Sequence, residues 1–131
     1  MIGLDTNVIV RYLTQDDPSQ SPAATRLIDT LSAKEPGFVA MIVVVELAWV
    51  LQRAYQSPRQ EIARVLESLL QTEELVIERA ELIWQALRLF TASRADFADC
   101  LIERCGHAAE CQHTVTFDKN AQATGMQLLK S

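Results

Sequence analysis

Acidic residues stand at four points of the chain where an apolar segment ends or a helix begins. Asp5 follows the apolar N-terminal residues, and Asp118 follows the apolar segment 114–117. Glu46 is the only charged residue between positions 38 and 53. Ionised carboxylates are rarely buried without a partner, so we interpret Glu46 as a buried side chain compensated by a cation.

Two further acids, Asp96 and Asp99, stand three residues apart on a predicted helix. This spacing puts both carboxylates on one face of the helix. Simpler interpretations remain open: Asp96 could complete a capping arrangement with Ser93, and Asp5 could be the N-cap of the helix that follows it.

Together these acids predict a site for a divalent cation. Carboxylates that crowd together repel each other, and some of their pKa values rise unless a cation binds between them. Mg²⁺ or Mn²⁺ suits such a set, because these ions take carboxylate oxygens and retain several waters. A bound ion of this kind can make water nucleophilic and stabilise a phosphoryl oxygen, which is the chemistry of phosphodiester hydrolysis.

The elements that would carry these acids alternate between strands and helices, which predicts one α/β domain over residues 1–131. A parallel sheet would bring the acids that follow its strands to one edge, where ligands bind in open α/β sheets. Strands are predicted at 1–4, 38–40, 75–77, 113–117 and 126–129. Helices are predicted at 7–13, from 18 or 22 to 32, at 41–55, from a capping box at 57–60, at 78–90 and at 96–109, with a helical turn at 118–123.

Four segments of the chain resemble, in order, the signature blocks of the PIN domain family. Within that family the chain is most similar to VapC-type toxins of bacterial toxin–antitoxin pairs. The resemblance covers essentially the whole length, and the ordered set is more specific than any single block. The segments are IGLDTNVI (2–9), VVVEL (43–47), ADFADCLI (95–102) and VTFD (115–118).

The resemblance implies a metal-dependent ribonuclease with a three-layer α/β/α sandwich around a parallel sheet of four to five short strands. It implies that Asp96 either ligates the metal or acts through a ligand, and that Thr6 and Thr116 orient carboxylates, water or phosphate. It also implies a homodimer, and inhibition by a small antitoxin whose tail crosses the acidic groove. The residues to which it assigns metal binding are Asp5, Glu46, Asp99 and Asp118.

One segment departs from the family pattern. After position 102 the family usually continues with small apolar residues, whereas this chain has Glu103, Arg104 and Cys105. We interpret Glu103 as a solvated charge near the rim of the site. The departure affects local packing and leaves the acids of the four blocks in place.

Composition limits the kind of protein this is. The formal charge of −5 argues against a broad basic surface for duplex nucleic acid, although bound cations would cancel part of the excess. Three cysteines without a CxxC pair fit small, buried, reduced thiols. No basic stretch precedes an apolar segment at the N-terminus, so we expect a cytoplasmic protein.

Other residues have ordinary interpretations at this stage. Trp49 and Trp84 stand at helical spacing among aliphatic residues, which favours core or dimer-interface packing over base stacking. The mixture of Arg59, Arg64 and Glu61 reads as an ordinary exposed helix face. The cations considered for steering RNA phosphate towards the acids are Arg11, Arg26, Arg53 and Lys119.

Two other functions compete with the nuclease. The first is a non-catalytic PIN-like binding module. The retention of every acidic block argues against it, because a pure binding surface has no need to bury Glu46. The second is an aspartyl-phosphate receiver or phosphatase-type domain. The phosphatase type needs a second Asp two residues after Asp5, where this chain has Asn7. A receiver needs an acidic pair near the first strand and a mid-chain phospho-acceptor, and neither is evident.

Overall fold

The computed structural model describes all 131 residues as a mixed α/β fold. A turn of 3-10 helix, Ala121–Thr124, lies between the last two strands. The strands are Ile2–Gly3 (β1), Gly37–Val39 (β2), Leu75–Ile77 (β3), Val115–Thr116 (β4) and Gln127–Leu128 (β5). The helices are Thr6–Thr14 (α1), Gln20–Asp29 (α2), Met41–Arg53 (α3), Arg59–Leu70 (α4), Ala80–Ala92 (α5) and Phe97–Ala108 (α6).

All strand pairs are parallel, which confirms the predicted α/β class. β2 lies between β1 and β3, and β4 pairs with β5 in a separate two-stranded ladder. No ladder joins β1 to β4, so the predicted sheet is divided into two parts. Both strands are only two residues long, and their apolar side chains remain exposed, at 47% for Ile2 and 50% for Val115. Little apolar surface is therefore buried that could hold these two strands side by side.

Helix α3 forms as predicted although its first turns are rich in β-branched residues, which favour strands. Val43, Val44 and Leu47 face the core and are buried. Burial of this face outweighs the weak helix propensity of valine. The first turn is also capped from a distance, since the Met41 N–H donates to Glu78 Oε1 at 2.8 Å. Glu78 was predicted to begin a helix and instead lies between β3 and α5.

One predicted start signal is wrong. The capping box at 57–60 is not formed: Pro58 occupies the N-cap position of α4 without a side-chain cap bond. The Pro58 carbonyl accepts the first helical bonds, from the N–H groups of Glu61 and Ile62 at 3.0 Å, so the first helical residue is Arg59.

The main hydrophobic core lies between the three-stranded ladder and the helices, with Leu47, Leu66 and Ile83 fully buried at its centre. Its last member along the chain is Leu101. Ala121 and Met126 are buried outside this core, beside the β4–β5 pair. No helix combines the length and the apolar character needed to cross a membrane.

Candidate functional site

Asp5 and Thr6 mark the passage from β1 into α1. Asp5 is the N-cap of α1, and its Oδ1 accepts from the adjacent Thr6 N–H at 2.8 Å. The buried Thr6 hydroxyl donates to Glu46 Oε1 at 2.8 Å. This bond connects residues 40 positions apart and ties the start of α1 to α3.

Glu46 is exposed, so its predicted burial is wrong. The reason is the orientation of α3: Val43, Val44 and Leu47 take the core face, and position 46 falls on the opposite side. Ile42, one turn earlier on that side, is also exposed, at 69%. The argument that a binding module has no need to bury Glu46 therefore fails, and the bond to Thr6 is what orients this carboxylate.

Asp96, Asp99 and Asp118 form a second acidic group. Burial, followed by the negative charges of Asp96 and Asp118, raises the pKa of Asp99 above its usual value. No cation is paired with any of the three. The ion pairs of the structure lie elsewhere, at Met1–Glu35, Arg11–Asp16, Arg79–Glu81 and Glu103–Arg104.

The capping interpretation of Asp96 is not supported. Asp96 occupies the N-cap position of α6, but its carboxylate makes no cap bond. The Ser93 hydroxyl donates instead to the Leu89 carbonyl at 2.8 Å. The Asp96 carboxylate therefore remains available next to Asp99.

Thr116 shapes the turn that presents Asp118. Its Oγ1 accepts from the Asp118 N–H at 3.0 Å, and Asp118 Oδ1 accepts from the Asn120 N–H at 2.8 Å. Both bonds are local turn bonds of the kind that Ser, Thr and Asp make. Thr116 thus bonds within its own turn, whereas Thr6 reaches a carboxylate of another element.

The two acidic groups do not converge on a single point. No three of the Asp, Glu, His and Cys side chains lie close enough together to hold one ion. Their chemistry nevertheless suits a hard cation, since the donors are carboxylate oxygens and Asp99 lies among uncompensated like charges. Binding of such a cation would require the carboxylates to move closer together.

The segment that departs from the family pattern carries a local ion pair. Arg104 Nε lies 2.6 Å from Glu103 Oε1, and Arg104 Nη2 lies 3.1 Å from Oε2. This pairing raises the pKa of Arg104. Glu103 is half-buried and paired, so its interpretation as a solvated charge is wrong.

The cysteines differ in their surroundings. Cys100 is buried, and burial raises the pKa of its thiol to about 11. Cys105 is half-buried against the core, whereas Cys111 is exposed. The prediction of three buried cysteines is therefore wrong for Cys111, which lies beyond the end of α6.

Two arginines considered for RNA steering are engaged within the protein. Arg11 pairs with Asp16 at 3.3 Å and donates to Gln20 at 2.8 Å, which holds the α1–α2 connection. Arg53 lies over the ring of Trp49, 3.9 Å from its centroid. Of the four cations considered for steering RNA, Arg53 is the one on α3, the helix that also carries Glu46.

Arg59 positions the loop that leads into α6. Its guanidinium donates to the carbonyls of Phe90 at 2.6 Å and Ser93 at 3.0 Å, and it lies 3.8 Å from the centroid of the Phe90 ring. These acceptors end α5 and precede Asp96. The sequence gives no signal for this role, because the partners are more than 30 positions away.

We expect Arg59→Met to lower the free energy of unfolding by about 1–3 kcal/mol, because charge-assisted bonds to several carbonyls are lost. Urea unfolding followed by circular dichroism measures the change. Arg64→Met is the matched control, since Arg64 is exposed on the same helix. Equal stability of the two variants would contradict the positioning role of Arg59.

Comparisons with known proteins identify the family of this chain. A profile of the PIN domain family matches residues 2–125. A VapC ribonuclease of Aquifex aeolicus (strain VF5) is 26% identical over 125 residues, covering 95% of this chain and 92% of that protein. The crystal structure of Mycobacterium tuberculosis VapC20, described as a sarcin–ricin loop cleaving toxin, aligns over the whole of both chains with 18% identity and a TM-score of 0.47. Because the family profile spans nearly the full length, the chain belongs to the PIN domain family.

Proposed function

We propose that this chain is an endoribonuclease that hydrolyses RNA phosphodiester bonds with Mg²⁺ or Mn²⁺. Membership of the PIN domain family supports the proposal, as does similarity over 95% of the chain to a protein named VapC ribonuclease. The observation that carries it is the acidic group at Asp99. The carboxylates of Asp96 and Asp118 lie within electrostatic range of the partly buried Asp99, and none of the three has a cationic partner.

In this proposal a divalent cation would bind at the carboxylates of both acidic groups. Asp96 would ligate the cation or hold a ligand in place. A bound ion supplies positive charge that makes water nucleophilic and neutralises the phosphoryl oxygens of RNA. The proposed ligands are Asp5, Glu46, Asp99 and Asp118.

The hydroxyl residues would act on the carboxylates and the backbone. Thr6 holds Glu46 in one orientation through the 2.8 Å bond, which fixes the carboxylate before substrate arrives. Thr116 would act through the turn that presents Asp118, or on water or phosphate brought by the substrate. Each bond would keep its own carboxylate or turn in place while the two acidic groups move closer together on the cation.

We also propose that the enzyme is the toxin of a toxin–antitoxin pair, active as a homodimer and inhibited by a small antitoxin protein. The similarity to a VapC ribonuclease supports this assignment. A short neighbouring gene for a DNA-binding protein would support it further. Co-expression of that gene product should suppress cleavage and copurify with this chain.

Incubation of the purified protein with total RNA tests the activity directly. We expect discrete cleavage products with Mg²⁺ or Mn²⁺ and none with EDTA, since the proposed chemistry needs the cation. Equal cleavage with EDTA, or no cleavage with either ion, would contradict the proposal. Products analysed by primer extension would also identify the cleaved sites.

One observation favours a second candidate, a non-catalytic PIN-like binding module. The acidic side chains do not come within joint reach of one ion. Calorimetric titration with Mg²⁺ and Mn²⁺ separates the candidates: saturable uptake that Asp99→Asn removes supports the nuclease, and no uptake supports the binding module.

A further inference from the structure

Trp49 is an exposed aromatic side chain beside both acidic groups. Half of its surface (50%) is accessible to solvent. Glu46, three residues earlier, lies on the same side of α3, because residues three and four apart are neighbours on a helix. Trp49 also lines a narrow cleft between α3 and α6 together with Asp96 and Ala98. The indole thus reaches from the α3 acid towards the α6 acids.

The Trp49 ring is stacked with a cation. The Arg53 guanidinium lies 3.9 Å from the ring centroid, one turn further along α3. Stacked arginine and tryptophan present a flat surface with positive charge at its edge, which suits a π-system attached to a phosphate. The Arg53 guanidinium lies on the same side of α3 as Glu46 but forms no ion pair with an acid, so its charge remains available for a phosphate.

The surroundings of Trp49 distinguish a nucleobase from a protein partner. The cleft is lined mainly by apolar residues, but Gln52 and Asp96 also line it, and Glu46 and Arg53 lie on the exposed side of α3. A protein interface normally has few charges at its centre, whereas Glu46, Arg53 and Asp96 are three charged groups around this ring. Proteins that bind single strands combine aromatic rings for the bases with arginine for the backbone.

We propose that Trp49 and Arg53 form a stacking platform for one unpaired nucleobase of the RNA, next to the scissile phosphate. The assignment rests on the proposed function, because it assumes that RNA binds with its scissile phosphate at the acidic groups. It extends that function by naming an unpaired base as the recognised element. The expectation of core packing for Trp49 does not fit its exposure of 50%, and the self-association measurement described below tests dimer-interface packing. Trp84, by contrast, is partly buried against the core.

A binding measurement tests the platform without cleavage. In a chain carrying Asp5→Asn and Trp84→Phe, Trp49 is the sole tryptophan. Short oligoadenylate should quench its fluorescence saturably, and an abasic phosphodiester strand of equal length should bind more weakly and quench less. Equal quenching by both strands would overturn the proposal.

Steady-state cleavage of an RNA with a mapped site provides the second measurement. We expect Trp49→Ala to raise KM roughly 10- to 100-fold, the loss that corresponds to one stacked base. Trp49→Phe should recover most of it, and Arg53→Gln should give a smaller rise. The matched control is Ile42→Ala, an exposed apolar residue on the same side of α3, which should leave KM unchanged.

The outcomes separate this proposal from the proposed function. If quenching depends on the base but no divalent ion supports cleavage, the stacking platform is supported and the proposed nuclease function is contradicted. Cleavage that Trp49→Ala and Ile42→Ala affect equally would remove the platform and leave the nuclease. A Trp49→Ala chain that loses self-association in sedimentation while its affinity for oligoadenylate is unchanged would overturn the platform in favour of a surface for a second copy.

Discussion

Replacing Glu46 by glutamine should abolish RNA cleavage and leave thermal unfolding close to that of the parent chain. The amide oxygen can still accept from the Thr6 hydroxyl, so the link between α1 and α3 is kept while the charge is lost. Asp5→Asn should behave alike, because its side-chain oxygen can still accept from the Thr6 N–H. We expect kcat/KM to fall about 100-fold or more in each variant, since charge stabilisation by a metal contributes several kcal/mol.

Glu73→Gln is the control for these variants. Glu73 is exposed in the loop before β3, away from both acidic groups, and its substitution removes the same charge from the protein. Cleavage of a fluorogenic RNA and differential scanning calorimetry are measured on all the variants. Retention of parental cleavage by Glu46→Gln would remove Glu46 from the site, and loss of cleavage by Glu73→Gln would show a general charge effect.

Replacing Asp99 by asparagine should have opposite effects on activity and stability. Burial and the charges of Asp96 and Asp118 raise the pKa of Asp99, so its ionisation costs folding free energy at every pH above the usual carboxyl range. At neutral pH the neutral amide removes that cost. Without divalent ions we expect the variant to be more stable by about 0.5–1 kcal/mol, after allowance for solvent screening, and to be inactive.

Divalent ions should reverse this order of stability. An ion that binds only the folded parent stabilises it by RT ln(1 + [ion]/Kd), so its unfolding temperature rises with ion concentration, whereas the Asp99→Asn chain lacks one of the proposed ligands. Thermal scans in EDTA and in increasing Mg²⁺ or Mn²⁺ measure both effects. Glu73→Gln should follow the parent throughout. A variant that is less stable than the parent in EDTA would contradict the account of repulsion at Asp99.

The order and type of the elements could be predicted because their signals are local. Hydrophobic spacing predicted α3 and α6 to within two residues, and the short apolar run at 75–77 predicted the bounds of β3 without error. What local signals could not give was the partner of each strand. β4 pairs with β5 alone, and this depends on long-range competition for strand edges.

The acids of the site could be predicted as a set, but their surroundings could not. Absence of other charges near Glu46 suggested burial, whereas its neighbours at 43, 44 and 47 already took the core face. Glu78 and Arg59 are bonded to residues more than 30 positions away, so spacing alone does not reveal them. Whether the assigned acids ligate a metal stays a prediction for the experiments above.

The separate β4–β5 ladder has a consequence for how the protein loses activity on heating or proteolysis. No inter-strand hydrogen bond connects this pair to β1, and the main core ends before it. It can therefore open as a local unit while the rest of the chain remains folded. Such partial opening would carry Asp118 away from its neighbours, so that inactivation precedes global unfolding and amide hydrogens of the last strands exchange first.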